Sequence, residues 1–290
     1  MIERVARLIA LAAAVLGVVL LIGAALGSNV QPDADAYWLA EQRLREGLPL
    51  YGGSGREETE IYRYAPWFAF AWVPLTYLPQ EAAYAVWRGM LLLATAAAVW
   101  PLVRRPTPAA VVLTVLLGGV LVSSLPSANV TPLVVGMLTV GLRSRVGPIL
   151  LGMAASLKLF PLLLLAGFVA ERRWIAAAVA VGVASLLWLN ILAFDVLLYT
   201  QIGGPSFYVG GVSLYNVSPV LWLLTAGGIL LVILALAVAR SRWTWLASAA
   251  AIPLAVPRVW LPDAGYLLAA IPPLRGSPEG TNGPSATDTD

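Results

Sequence analysis

The sequence contains no cysteine and no histidine, and lysine occurs once, at Lys158. Without cysteine there is no disulfide, no thiol nucleophile and no thiolate metal ligand. Without histidine the usual acid–base group near neutral pH is missing, together with the commonest metal ligand. Proton transfer therefore falls to carboxylates, tyrosines or Lys158. Charge is scarce as well: 11% of the 290 residues are Asp, Glu, Lys or Arg, where a soluble domain carries roughly 25%. Nucleotide-binding fingerprints are absent, with neither a P-loop nor a Gly-x-Gly-x-x-Gly opening a helix after a strand. No cofactor and no metal are expected; the Asp33-x-Asp35 pair alone is too generic to define a cation site.

What is present is apolar. Hydrophobic residues make up 60% of the chain and the mean hydropathy is +0.83. These values describe an all-α polytopic membrane protein, with the lipid bilayer as its surroundings. The net charge of +3 arises from short basic clusters between apolar runs. That is a topology signal, and nucleic acid is not an expected partner.

Taken in order, residues 8–27 are apolar or small, about 20 positions and enough to cross a ~30 Å hydrocarbon core. Arg4 and Arg7 precede them and favour a cytoplasmic N-terminus; the alternative is a signal peptide cleaved near Gly23-Ala-Ala-Leu-Gly27. Residues 28–60 form an acidic loop, expected on the outer face. Within it Tyr37, Ala40, Leu44 and Leu48 recur at three- and four-residue spacing, which predicts an amphipathic helix on the membrane surface. Gly47 and Pro49 are positioned to end it. Residues 62–79 are aromatic and interrupted by Pro66, Pro74 and Pro79, a short kinked or re-entrant segment.

A full span is expected at 82–103, ending at Arg104–Arg105, and a hairpin over 108–125 and 128–142 with Pro126, Ser127 and Asn129 at its outer tip. Residues 146–170 admit two readings: a short hairpin returning to the side of Arg143 and Arg145, or one span with Lys158 at mid-membrane. Further spans are expected at 174–194 and 217–239, followed by a short pair at 243–257 and 260–274. The total is about eight to ten crossings at the lengths a bilayer requires. Residues 1–274 form one transmembrane domain, with 28–60 as its outer loop, and 275–290 form a disordered polar tail.

Asp33 is either a general base on the outer face or the cap of a helix beginning near Ala34. An ammonium at hydrocarbon depth costs at least ~2.5–3.5 kcal/mol unless paired. Lys158 has no carboxylate within two turns along the chain, so it meets a lipid-borne phosphate, an ion-pair partner such as Asp195 or Asp263, or the headgroups. Arg63 and Arg88 are secondary phosphate candidates. Tyr62, Tyr64, Trp67, Trp72 and Trp87 either stack on a sugar or form an interfacial belt.

The ordered set Asp33-x-x-x-Tyr37, Gly47-Leu-Pro-Leu-Tyr51, Tyr62-x-Tyr-x-Pro66, Pro74-Leu-x-x-Leu-Pro79 and Trp87 resembles the opening of glycosyltransferase family 87. Asn129-x-x-Pro-Leu133, the Gly147–Pro161 run and Arg172-Arg-Trp174 extend the likeness in order, over roughly residues 8–195. The resemblance implies a GT-C-like fold. It also implies inverting transfer of a hexose, mannose in the family, from a polyprenyl-phosphate sugar to a lipid-linked or glycan acceptor on the outer face. In that reading Asp33 is the base, Lys158 and Arg63 hold the donor phosphate, and Asp35, Tyr37, Tyr64, Trp67 and Asn129 contact substrate. Where members commonly carry a late histidine, this chain has Trp260-Leu-Pro-Asp-Ala-Gly-Tyr266. The competing function is a transporter or flippase, or a non-catalytic partner in cell-envelope glycan assembly. A transporter is expected to show an internal repeat with broken helices in matching halves, and no such repeat stands out.

Overall fold

A computed structural model of the chain describes residues 31–51, 61–105, 107–142, 144–194, 196–200, 214–257 and 259–271, with positions 19, 23 and 27 besides. The expected span at 8–27, apart from those three positions, lies outside the described residues. So do the glycine loop 52–55, most of the loop from Asp195 to Asn216, and the tail from Arg275. The described residues are helical, with no strand among them.

Helix α1 (Pro32–Glu46) is the predicted loop helix. Pro32 opens it with φ already set. Asp33 and Asp35 in the first turn and Arg43 and Arg45 in the last both complement the helix dipole. Gly47 stops it at φ 68°, a left-handed turn that glycine enters without a Cβ clash, and chain reversal satisfies the carbonyls of Arg43 and Leu44. The first half of the apolar stripe is covered by protein, while Leu48 at its end is exposed. Tyr37 and Ala40 are fully buried, and the Tyr37 ring meets Tyr64, Phe68, Trp72 and Trp87 at centroid distances of 5.2, 5.0, 5.3 and 5.9 Å. Aromatic rings from elsewhere in the chain cover that face, so α1 lies on protein.

Helix α2 (Pro66–Thr76) has 11 residues with Pro74 inside, the short interrupted segment the prolines predict. Helix α3 (Gln80–Val103) follows. Helices α4 (Pro108–Val122) and α5 (Thr131–Gly141) form the predicted hairpin, α4 starting from a Thr107 hydroxyl that accepts from the Ala110 N–H. Helix α6 (Gly147–Leu157) stops at Lys158, whose backbone is extended at φ −139°, ψ 121°. A 3-10 turn (Phe160–Leu164) and α7 (Leu165–Ala170) then lead to α8 (Trp174–Leu189). Helix α9 (Pro219–Val238) and α10 (Thr244–Ala255) pair before a final 3-10 helix, Leu261–Ala270.

The two readings of 146–170 are now distinguished. Helix α8 lies along α6 so closely that a Cβ on Gly152 would stand 2.6 Å from the Ala180 carbonyl oxygen. The segment after α8 ends beside Tyr51, whose ring meets Phe194 and Tyr199, and the Tyr51 hydroxyl donates to the Tyr64 carbonyl at 2.8 Å. Helix α6 also finishes at that end, since Trp67 Nε1 donates to Ser156 Oγ at 2.9 Å. Arg172 and Arg173 therefore sit at the opposite end, with the turn that carries Arg145. The chain reverses at Lys158 and returns, as in the hairpin reading. Trp245 Nε1 donates to Glu171 Oε1 at 2.7 Å, which brings the α9–α10 turn with Arg240 and Arg242 to the same end.

Among the described residues three segments are long and apolar enough to cross a bilayer: Gln80–Val103, Trp174–Ala193 and Pro219–Val238, of 24, 20 and 20 residues. At 1.5 Å per residue they rise ~36, ~30 and ~30 Å. Along α9 only Ile233 and Ala237 are buried, while Leu223, Leu224 and Leu231 point outward. An apolar helix left this bare suits lipid and not water. The architecture is that of an all-α membrane protein.

Candidate active site

Six pieces of chain meet at the end away from the arginine-bearing turns: the start of α1, residues 61–65, the α4–α5 turn, the break at Lys158, the C-terminal end of α10, and the final 3-10 helix. They enclose a cavity of about 830 Å³. Its polar lining includes Asp33, Arg63, Tyr64, Asn129, Thr131, Lys158, Asp263 and Tyr266, and one wall is apolar, with Phe160, Ile252, Val256 and Leu261. Charged and apolar surface side by side suits an amphiphilic ligand.

Asp33 does not cap α1. The helix opens one residue earlier at Pro32, the capping position is Gln31, and no side chain caps it. Instead the Asp33 backbone N–H donates to the Ser127 carbonyl at 3.1 Å, which leaves the carboxylate facing the cavity. There Oδ2 accepts from Asn129 Nδ2 at 3.0 Å. Burial pushes the Asp33 carboxyl above its ordinary 3.8; the Asn129 and Ser127 hydrogen bonds and the charges of Lys158 and Arg63 oppose the rise without cancelling it. A carboxylate held this way is a better proton acceptor than one in water.

Asn129 is fixed at both ends. Its Oδ1 accepts from the Thr131 backbone N–H at 2.9 Å and from Thr131 Oγ1 at 2.6 Å. A backbone N–H can only donate, so the amide oxygen must face Thr131 and the NH2 must face Asp33. The turn that presents it is unusual: Ala128 has φ 57°, a left-handed conformation in a residue with a Cβ. The Ala128 carbonyl is held by Trp87 Nε1 at 2.9 Å, so the aromatic core under α1 also anchors this turn.

Lys158 is not left without a counter-charge. Its Nζ donates to Thr131 Oγ1 at 2.7 Å and stands 3.4 Å from Asp263 Oδ1. The carboxylate missing within two turns of the chain arrives from 105 positions further on. Asp263 is 3% exposed, and its other oxygen accepts the Trp260 N–H at 2.9 Å. Tyr266, in the same 3-10 helix, has a buried hydroxyl with no hydrogen-bond partner among the described residues.

Of the residues expected to contact substrate, Tyr64 and Asn129 line the cavity; Asp35, Tyr37 and Trp67 are not in its wall. Asp35 accepts from the Tyr84 hydroxyl. Tyr37 donates to the Tyr64 hydroxyl at 3.1 Å, and Trp67 is bonded to Ser156. These three hold the wall from behind. Thr131 and Tyr266 had no role assigned from sequence. Asp263 offered one signal, a lone carboxylate between apolar residues in a segment that otherwise reads as membrane-embedded. Among the described residues no group of three or more Asp, Glu, His or Cys is placed to hold a metal ion.

The model of glycosyltransferase family 87 matches residues 62–200. This match supports membership of glycosyltransferase family 87. The general activity it supports is sugar transfer by a membrane glycosyltransferase. Within the matched region lie Arg63, Tyr64, Asn129, Thr131 and Lys158; Asp33 and Asp263 complete the cavity from outside it. No curated protein and no solved structure matches the chain.

Proposed function

We propose that this protein moves a hexose, mannose in the first instance, from a polyprenyl-phosphate sugar to a lipid-linked or glycan acceptor on the outer face of the membrane, with inversion at the anomeric carbon. The observation that carries this reading is one cavity lined by a raised carboxylate, a lysine, an arginine and an apolar wall. Asp33 takes the proton of the acceptor hydroxyl as its oxygen attacks C1. The C1–O bond to the phosphate breaks, and the electron pair leaves with the lipid phosphate. Lys158 and Arg63 meet that growing charge, the place where fixed positive groups lower a barrier most. Asp263 neutralises Lys158 before the donor arrives, and Tyr64, Asn129 and Tyr266 present polar atoms to the sugar or acceptor.

The outer-face assignment is supported by polarity. The cavity lies at the end remote from Arg104–Arg105, Arg145, Arg172–Arg173 and Arg240–Arg242, and such clusters mark the cytoplasmic side. Eight to ten crossings in a GT-C-like arrangement accommodate this with the shorter apolar helices counted as part of the bundle. Incubating membranes with labelled polyprenyl-phosphate mannose, with and without Asp33→Asn, tests the proposal: transfer in the wild type and none in the variant is expected. Undiminished transfer by Asp33→Asn rules Asp33 out as the base.

A further inference from the structure

Four side chains from three parts of the chain form one line of hydrogen bonds with a single polarity. Lys158 Nζ donates to Thr131 Oγ1 at 2.7 Å. The Thr131 hydroxyl has one proton, which it donates to Asn129 Oδ1 at 2.6 Å. Asn129 Nδ2 donates to Asp33 Oδ2 at 3.0 Å. The line therefore runs from a cation to a carboxylate, with every donor pointing the same way. Aligned hydrogen bonds of this kind polarise one another in a low-dielectric setting. Thr131 is the only member able to receive from Lys158 and give to Asn129 at once, and it is 1% exposed.

We propose that Thr131 is a positioning residue whose hydroxyl couples the donor-phosphate cation Lys158 to the base Asp33. This deepens the reading of the cavity given above and rests on it. When the phosphate draws the ammonium toward itself, the pull on Thr131 relaxes, the hydroxyl binds Asn129 less strongly, and the carboxylate is held less firmly by the amide. Asp33 thus becomes more basic when donor is bound. Nothing in the line needs to touch the acceptor. The other titratable groups facing Asp33 are Tyr37 from its own helix and Arg63 and Tyr64 from the neighbouring segment. All are unchanged by substitutions at position 131.

The experiment compares full-length wild type, Thr131→Val and Thr131→Ser in lipid nanodiscs. Valine keeps the shape and the backbone N–H to Asn129 but has no hydroxyl; serine restores the hydroxyl. The first readout is an infrared titration of the Asp33 carboxyl band, assigned by its disappearance in Asp33→Asn, and it requires no substrate. Protonation of Asp33 is expected at higher pH in Thr131→Val and near the wild-type pH in Thr131→Ser. The second readout is the pH dependence of transfer from labelled polyprenyl-phosphate mannose: the acid limb of kcat/KM, which reports the donor-free enzyme, is expected at higher pH in Thr131→Val and at the wild-type position in Thr131→Ser, while kcat on the plateau changes little because the link is already relaxed when donor is bound. An Asp33 band that titrates identically in wild type and Thr131→Val overturns the coupling. Failure of the wild type to transfer from this donor overturns the donor assignment and leaves the titration as the test of the coupling.

Discussion

The pair Lys158–Asp263 carries a quantitative expectation. At 3.4 Å between Nζ and Oδ1, unit charges attract by ~5 kcal/mol at an effective dielectric constant of ~20. The Lys158 side chain is 24% exposed and that of Asp263 4%, so one partner is partly screened and the coupling falls to ~2–3 kcal/mol. Lys158→Met or Asp263→Leu alone strands the opposite charge and should destabilise the fold by ~3–5 kcal/mol. The double variant should cost less than the sum of the two by that coupling. Asp263→Leu also loses the Trp260 N–H bond, but this loss is common to both Leu-containing corners of the cycle and cancels. Unfolding in mixed micelles titrated with denaturing detergent, followed by tryptophan fluorescence, gives the four stabilities. A coupling below ~0.5 kcal/mol, the scatter expected of independent sites, would refute the ion pair.

Two further expectations rest on the same geometry. Because burial raises the Asp33 carboxyl above 3.8 and the base must be ionised to accept a proton, kcat/KM should fall as pH drops through a value above 3.8; Asn129→Ala removes a bond that stabilises the carboxylate, so a pH–rate profile of that variant should show its acid limb at higher pH still. Trp87→Phe leaves the Ala128 carbonyl without its indole donor and should lower stability by ~1–3 kcal/mol, measured in the same micelle titration, with activity reduced because the turn that aims Asn129 is released.

What could be read from the sequence was local. Gly47 as a helix stop, the prolines that shorten 62–79 and the two-helix turn around Ser127 each depend on neighbours a few residues away, and each is present. The stripe through Tyr37 marked the right helix, but periodicity cannot tell a face covered by lipid from one covered by Phe68, Trp72 and Trp87. The site depends on long-range meetings. Asn129 reaches Asp33 across 96 positions and Lys158 reaches Asp263 across 105. A lone polar residue in an apolar run announces that it needs a partner, but the partner is chosen by helix packing. The close approach of α6 to α8 at Gly152 belongs to that packing.

The central claim is that Asp33 removes the acceptor proton in this cavity. Its most direct test is the rate of mannose transfer from labelled polyprenyl-phosphate mannose in membranes holding equal amounts of folded wild type or Asp33→Asn. The asparagine keeps the shape and cannot accept the proton, so the rate should fall by ~10²–10⁴-fold, the usual contribution of a general base. A rate within a factor of about two of wild type would contradict the account.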